Sequence, residues 1–143
     1  MIRMSKLTDY AIVLMVHVAR AKGLRTAREL AQDAALPMPT VGKVLKVLSR
    51  HKFLVSTRGM RGGYALGRDA SEIRIADLIE ALEGPIALTE CSAAPGNDAC
   101  SHEQHCPVRA PWMQINEAVR EALSSISLSD MTRSEFNLEE IRL

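Results

Sequence analysis

The chain contains three cysteines, and all of them lie between positions 91 and 106. They are Cys91, Cys100 and Cys106, in a C-x8-C-x5-C spacing. Thiolates are soft ligands that select zinc, copper(I) or an iron–sulfur cluster. Structural zinc sites usually have cysteine pairs about two to four residues apart, and this spacing contains neither such a pair nor a C-x-x-C redox motif. An iron–sulfur cluster, a zinc ion, and free or redox-active thiols therefore all remain open at this point.

The residues between the cysteines favour turns, because a P-G-N-D run stands at positions 95–98. The thiols of such a loop converge on one point only if something outside the backbone draws them together, and a metal centre would do that. Three thiolates also leave one ligand to be supplied by another residue. His102 and His105 lie inside the loop and are candidates for it, although a lone loop histidine is more often solvated.

The compartment is indicated by the same cysteines and by the N-terminus. An odd number of cysteines argues against a disulfide framework and for metal or redox chemistry in a reducing compartment. The first nine residues lack the apolar segment of a signal peptide, and no apolar run approaches the length of a membrane span. The sequence predicts a soluble, cytoplasmic protein that does not contact a membrane.

The net charge of +1 conceals an uneven distribution along the chain. Residues 1–68 contain 13 Lys and Arg against 3 Asp and Glu, a charge of +10. Residues 69–143 contain 5 against 14, a charge of −9. A basic half joined to an acidic half suggests that one end of the molecule binds a polyanion.

The basic half has the pattern of three helices. Apolar residues recur at steps of three and four over 7–21 and predict an amphipathic first helix. Thr26 and Glu29 have the T-x-x-E form of a capping box, which predicts a short second helix over 27–34. A third helix begins near Pro39 and continues to about position 51. Two short helices separated by a tight turn are typical of a helix-turn-helix.

A β-wing is predicted to follow these helices. Two strand-like runs, 53–57 and 64–66, flank the sequence R-G-M-R-G-G, whose glycines permit a tight hairpin. The third helix would present its polar side to the major groove, while the wing would contact the minor groove or phosphates. The candidate contacts to double-stranded DNA are Arg28, Thr40, Lys43, Lys46, Arg58 and Arg61.

The acidic half is predicted to contain a fourth helix over 75–82 and a long helix after the cysteine loop. In the long helix, apolar residues from 108 to 126 follow the spacing of a short coiled coil, with Asn116 on an outer face. We expect this helix to form a homodimer and the DNA site to be pseudo-palindromic. The alternative is that the helix folds back on the winged domain. A short helix with Ser129 as its N-cap is expected after it.

The predicted fold is therefore mainly α-helical with a small β-wing. Residues 1–84 would form a winged helix-turn-helix domain, residues 85–107 the cysteine loop, and residues 108–143 the dimerisation helix and a tail.

The order of these segments resembles the Rrf-type winged-helix transcription regulators, the group that contains IscR, NsrR and RirA. The resemblance covers residues 4–131 and is strongest in the R-G-M-R-G-G-Y wing and the cysteine loop. The stretches M-S-K-L-T-D-Y-A and A-L-E-G-P-I-A-L-T-E-C-S, at 4–11 and 81–92, are most similar to the regulator of the SUF iron–sulfur assembly operon. The resemblance implies a repressor that senses iron–sulfur cluster or redox status and controls iron–sulfur assembly genes.

The resemblance also implies that Cys91, Cys100 and Cys106 bind an iron–sulfur cluster, with [2Fe–2S] favoured over [4Fe–4S]. Members similar to IscR have a shorter first cysteine interval and a histidine where this chain has Arg109. Asp9 occupies the position from which NsrR-like members supply a carboxylate to the partner subunit. Asp9 in trans is thus our first candidate for the fourth ligand, ahead of the two loop histidines. An exposed aspartate that complements the helix dipole is an equal alternative.

Two other classes of function are compatible with the same residues. A zinc-stabilised winged-helix protein would use the thiols structurally, and a thiol-based redox regulator would use them without a metal. A thiol enzyme is disfavoured, because no third orienting group and no nucleotide-binding fingerprint accompanies the cysteines. We therefore expect a regulator and not an enzyme.

Overall fold

The structure is a computed structural model, and it describes residues 3–93, 100–101 and 105–133. Its elements in chain order are α1 Lys6–Arg20, α2 Ala27–Asp33, α3 Met38–Arg50, β1 Leu54–Thr57, β2 Gly63–Leu66, α4 Ile75–Glu83, α5 Arg109–Ser125 and α6 Leu128–Met131. A 3-10 turn, Glu90–Ser92, lies between α4 and α5. The mainly helical fold with a small β-wing is confirmed. None of the described helices has both the length and the apolar character needed to cross a membrane.

The hydrophobic core is formed by one face each of α1, α3 and α4. Its fully buried members include Leu14 and Met15 of α1, Leu45 and Leu48 of α3, and Leu78 of α4. Burying one such side chain contributes roughly 1.5–3 kcal/mol relative to leaving it exposed. This burial leaves the opposite, polar face of α3 directed away from the core.

The predicted helix-turn-helix is present in α2 and α3. The hydroxyl of Thr26 accepts from the amide of Glu29 at 3.2 Å, and the Glu29 carboxylate accepts from the Thr26 amide at 2.7 Å. This reciprocal capping box starts α2. The turn after α2 contains Ala35 with a φ of 52°, an uncommon conformation for a residue with a Cβ. Pro39 lies in the first turn of α3, where a missing amide hydrogen leaves no helical bond unmade.

The wing is a two-stranded antiparallel sheet in which Leu54 pairs with Leu66 and Thr57 with Gly63. Its second strand is attached to the segment before α2 by two backbone hydrogen bonds between Arg25 and Tyr64, at 3.0 and 2.7 Å. The wing is therefore held at a defined position beside the helix-turn-helix.

Helix α5 packs against α4 through its C-terminal half, and Leu123 and Ile126 join the core. The predicted coiled-coil stripe is consequently divided. Its first half, Trp112 and Ile115, is exposed at 38% and 46%, whereas its second half contacts the winged domain of the same chain. For the second half, the structure shows the alternative of a helix that folds back.

The start of α6 corrects one prediction. Its N-cap is Ser127 and not Ser129, because the Ser127 hydroxyl accepts from the amide of Asp130 at 3.2 Å. Leu128, which follows the cap, is completely buried in the core. The predicted division of the chain at positions 84 and 107 stays a prediction.

Candidate nucleic-acid interface and cysteine segment

The outer face of α3 is polar and cationic. Val41, Val44, Leu45 and Leu48 are buried, and their spacing places them on one side of the helix. On the other side, Lys43 and Lys46 are exposed, whereas Thr40 is half-buried. An α-helix fits the width of the DNA major groove, so this face can reach base edges and phosphates.

The turn at the tip of the wing is closed by a hydrogen bond from the amide of Gly62 to the carbonyl of Gly59, at 3.0 Å. Met60, between them, is fully exposed, and Arg58 and Arg61 are also exposed. Arg28 is exposed on α2. Five of the six residues predicted to contact DNA are thus exposed, and the sixth, Thr40, is partly covered.

Five of these six residues are cations, and none of the five has an anionic partner among the described residues. Within that part of the chain no ion pair is formed by Arg28, Lys43, Lys46, Arg58 or Arg61. Arg25 is different, because it pairs with Asp33 and Glu29. The hydrogen bond to Asp33 raises the pKa of the Arg25 guanidinium above its ordinary value. The other cations can bind an external polyanion without first breaking such a pair.

The cysteine loop of residues 85–107, called the cysteine segment below, has its first cysteine in the 3-10 turn. The sulfur of Cys91 lies 3.2 Å from the Thr89 hydroxyl, which is itself 2.9 Å from the Ser92 hydroxyl. All three cysteines are free thiols and half-buried. Cys106 lies at the N-terminal end of α5 beside an open groove of about 450 Å³ that Met113 and Gln114 also line.

Among the residues that the structure describes, the candidate metal ligands are not brought together. Across residues 3–93, 100–101 and 105–133, no three His, Cys, Asp or Glu side chains are grouped so that they could hold a metal ion. Asp9 is exposed in the first turn of α1, and His105 is exposed before Cys106. His102 lies outside the described residues. A donor set of three thiols nevertheless fits a soft metal centre chemically.

Sequence reasoning missed the side chain that connects the cysteine segment to α5. The spacing predicts Asn116 on an outer face of α5, but this side chain is buried, with an exposed fraction of 7%. Its Oδ1 accepts from the amide of Leu88 at 2.9 Å, and its Nδ2 donates to the carbonyl of Ile86 at 3.1 Å. A signal was available, since Asn116 lies four residues after Trp112 and three before Val119, on the same helical face.

A second contact holds α5 against α4 near this point. Arg120 donates from Nε to the Oε1 of Glu80 at 3.0 Å, and this bond raises the pKa of Arg120. Because both side chains are partly exposed, water screens the pair, and it contributes more to alignment than to stability. Asn116 and Arg120 together align the segment before Cys91, α4 and α5.

The helix-turn-helix, the attached wing and the exposed cations on both define a winged helix-turn-helix protein that binds DNA. The chain belongs to the Rrf2 family of iron-dependent transcriptional regulators, whose family model matches residues 4–134.

Relatives of known structure or name agree with this assignment. The HTH-type transcriptional regulator IscR of Sodalis glossinidius (strain morsitans) is 26% identical over 141 residues, which are 97% of this chain and 84% of IscR. The structure of CymR, the global cysteine regulator of B. subtilis, has a TM-score of 0.72 at 28% identity, and covers 92% of this chain and 97% of CymR. The structure of T. potens IscR has a TM-score of 0.70 at 24% identity, and covers 91% of this chain and 85% of that one. At this level of identity the likeness supports the fold alone. IscR and CymR are transcriptional regulators and not enzymes.

Proposed function

We propose that this DNA-binding regulator is a cytoplasmic, homodimeric repressor that responds to an iron–sulfur cluster. Cys91, Cys100 and Cys106 would bind the cluster, with [2Fe–2S] favoured, and Asp9 of the partner subunit would supply the fourth ligand. The genes controlled would be those of iron–sulfur assembly. This proposal is supported by the family, by the three free thiols and by the position of the cysteine segment between α4 and α5.

Operator recognition is assigned to α3 and the wing. Thr40, Lys43 and Lys46 would contact bases and phosphates in the major groove, and Arg58 and Arg61 would contact the minor groove or its phosphates. Arg28 would add a phosphate contact from α2. Charge supports this docking, because these cations are exposed and lack ion pairs within the described residues.

The exposed half of α5 is the proposed dimer contact. Trp112, Met113 and Ile115 are 38%, 44% and 46% exposed on one stretch of helix, next to Val108 at 48%. Large apolar side chains grouped on a surface usually mark an interaction site. A two-fold dimer would place two α3 helices on successive major grooves and would read a pseudo-palindromic site in double-stranded DNA.

The observation that carries the sensing role is the pair of hydrogen bonds between Asn116 and the segment before Cys91, one accepted from the Leu88 amide and one donated to the Ile86 carbonyl. The bound iron–sulfur cluster would be sensitive to oxidation and to iron supply. A change at Cys91 on cluster binding would be transmitted through Ile86, Leu88 and Asn116 to α5. Since α5 also contacts α4, a change in its position would alter the distance between the two DNA-reading surfaces of a dimer.

The test is anaerobic purification followed by visible spectroscopy, iron and sulfide analysis, and operator-binding assays on cluster-loaded and cluster-free protein. We expect a coloured protein, and a difference of at least about tenfold in operator affinity between the two forms. Cys100→Ala should lose the colour and bind with the affinity of the cluster-free form. The neighbouring exposed Ser101 provides the control, and Ser101→Ala should behave as wild type. Equal operator affinity of loaded and cluster-free protein would disprove the sensing role.

A zinc-stabilised regulator or a metal-free thiol regulator is the second candidate. The three free thiols support it, because cysteine thiolates can bind zinc or react with an oxidant as well as bind a cluster. Stoichiometric zinc without sulfide would identify the zinc protein. A metal-free protein whose operator binding changes on thiol oxidation would identify the thiol regulator.

A further inference from the structure

Gly42 lies on the exposed face of α3, at a position where the fold does not require glycine. A Cβ placed on Gly42 would have no heavy atom within 4 Å apart from its chain neighbours and the backbone of its own helix. Its φ is also outside the left-handed range that favours glycine. Neither packing nor backbone conformation in the described chain therefore explains the missing side chain.

A glycine inside a helix is unfavourable compared with alanine, because it loses more backbone freedom on folding. The exposed neighbours of Gly42 on the helix surface are Pro39 and Lys46, at steps of three and four residues. Both are exposed. Gly42 therefore lies on the face that the proposed function directs at DNA, between these two exposed residues.

We propose that Gly42 is the point of closest approach between α3 and the base edges of the operator, and that it determines specificity through its lack of a side chain. Contact between helix backbone and bases requires that nothing projects from the helix at that point. A Cβ at position 42 would hold the helix away from the groove floor, so Thr40 and Lys43 could no longer reach the bases. The inference rests on the proposed DNA docking of α3 and names the residue that sets its depth.

The experiment compares Gly42→Ala and Gly42→Leu with wild type. The specific probe is a duplex selected in vitro by the wild-type protein from a random-sequence library, and the non-specific probe is the unselected library. We expect Gly42→Ala to raise the melting temperature by about 2–5 °C. The same variant should bind the selected duplex at least about tenfold more weakly, and Gly42→Leu more weakly still. Affinity for the unselected library should change less than about threefold, because contacts to phosphates can still form when α3 lies less deep in the major groove.

The matched control is Gly23→Ala, because Gly23 is also exposed with open space around its Cβ position but lies outside α3. This variant should bind the selected duplex as wild type does. If wild-type protein selects no sequence, the proposed docking and this inference fail together. If wild type selects a sequence and Gly42→Ala binds it with unchanged affinity, the inference alone is overturned. Equal reductions in affinity on the selected and unselected duplexes would also overturn it, because the effect would then be independent of sequence.

Discussion

The hydroxyl of Thr89 is a hydrogen-bond partner for the sulfur of Cys91, at 3.2 Å. A thiolate has no proton to donate, so the hydroxyl is the donor whenever Cys91 is deprotonated. The second hydroxyl of the turn, Ser92, lies 2.9 Å from Thr89 and orients it. The sulfur of Cys91 therefore lies beside two hydroxyls of the 3-10 turn, and the other candidate ligands among the described residues are not assembled around it.

Glu83 allows a prediction about pH. Hydrogen bonds from Thr8 and from the Ser5 amide, the latter at 2.7 Å, lower the pKa of the Glu83 carboxyl in the folded protein. A carboxyl whose pKa is lower in the folded state stabilises the fold fully above its unfolded pKa of about 4.3. That stabilisation disappears as the pH falls through the folded value. Because Glu83 is exposed, we expect a loss of stability below about 1 kcal/mol.

The measurement is urea unfolding of wild type and Glu83→Gln between about pH 6 and about pH 3. The side-chain amide oxygen of the variant can still accept the hydrogen bond from the Ser5 amide, but the side chain does not titrate. The stability of the variant should therefore fall less steeply on acidification. Identical pH profiles for the two proteins would contradict this role of Glu83.

At the scale of the elements, the wing depends on close backbone contacts. A Cβ on Gly62 would lie 2.2 Å from the carbonyl oxygen of Thr57 and 2.9 Å from that of Gly59. A Cβ on Gly63 would lie 2.8 Å from the carbonyl oxygen of Arg25. The glycines of the wing therefore allow two chain segments to approach, as well as allowing the turn itself.

Gly62→Ala should accordingly distort the wing. The clashing atoms belong to the backbone, so the hairpin itself must shift, at a cost of about 1–3 kcal/mol. Displacement of Arg58 and Arg61 should weaken operator binding and reduce the salt dependence by roughly 0.9 in the log–log slope for each phosphate that the wing no longer touches. Urea unfolding and binding titrations at several salt concentrations would measure both effects. An unchanged salt slope would show that the wing arginines do not bind phosphates.

At the scale of the whole molecule, α5 has two different surfaces along its length. Its C-terminal half contacts α4 and the core, through Leu123 and Ile126, and Asn116 at its middle is buried. Its N-terminal half exposes Trp112 and Met113. One helix thus connects the DNA-binding domain to the exposed apolar surface that we propose as the dimer contact.

Trp112→Glu should convert the proposed dimer into a monomer, because it places a charge in the middle of the apolar patch. Light scattering after size-exclusion chromatography, at micromolar concentrations, would measure the mass. Operator affinity should fall together with dimerisation, since a monomer contacts a single half-site. Gln114→Glu is the control, because it adds the same charge to the opposite side of α5. A dimeric Trp112→Glu protein would show that the copies associate elsewhere.

The elements that sequence reasoning predicts correctly depend on local interactions. The capping box of Thr26 and Glu29, the proline near the start of α3 and the glycines of the wing act over a few residues. Their effects on backbone conformation follow from neighbouring positions alone. The predicted N-cap of α6 is two residues late because Ser127 and Ser129 are both suitable caps, and the burial of Leu128 selects the first.

The sequence by itself determined the winged helix-turn-helix, the basic surface and the presence of three thiols, since these follow from local spacing and residue type. Only the tertiary structure decided that Asn116 faces inward, that the apolar stripe of α5 is divided, and that the space around Gly42 is open. Helical periodicity identifies which residues share a face, but it does not say what that face packs against. The packing partner depends on contacts between residues far apart in the chain, and these form only when the whole domain folds.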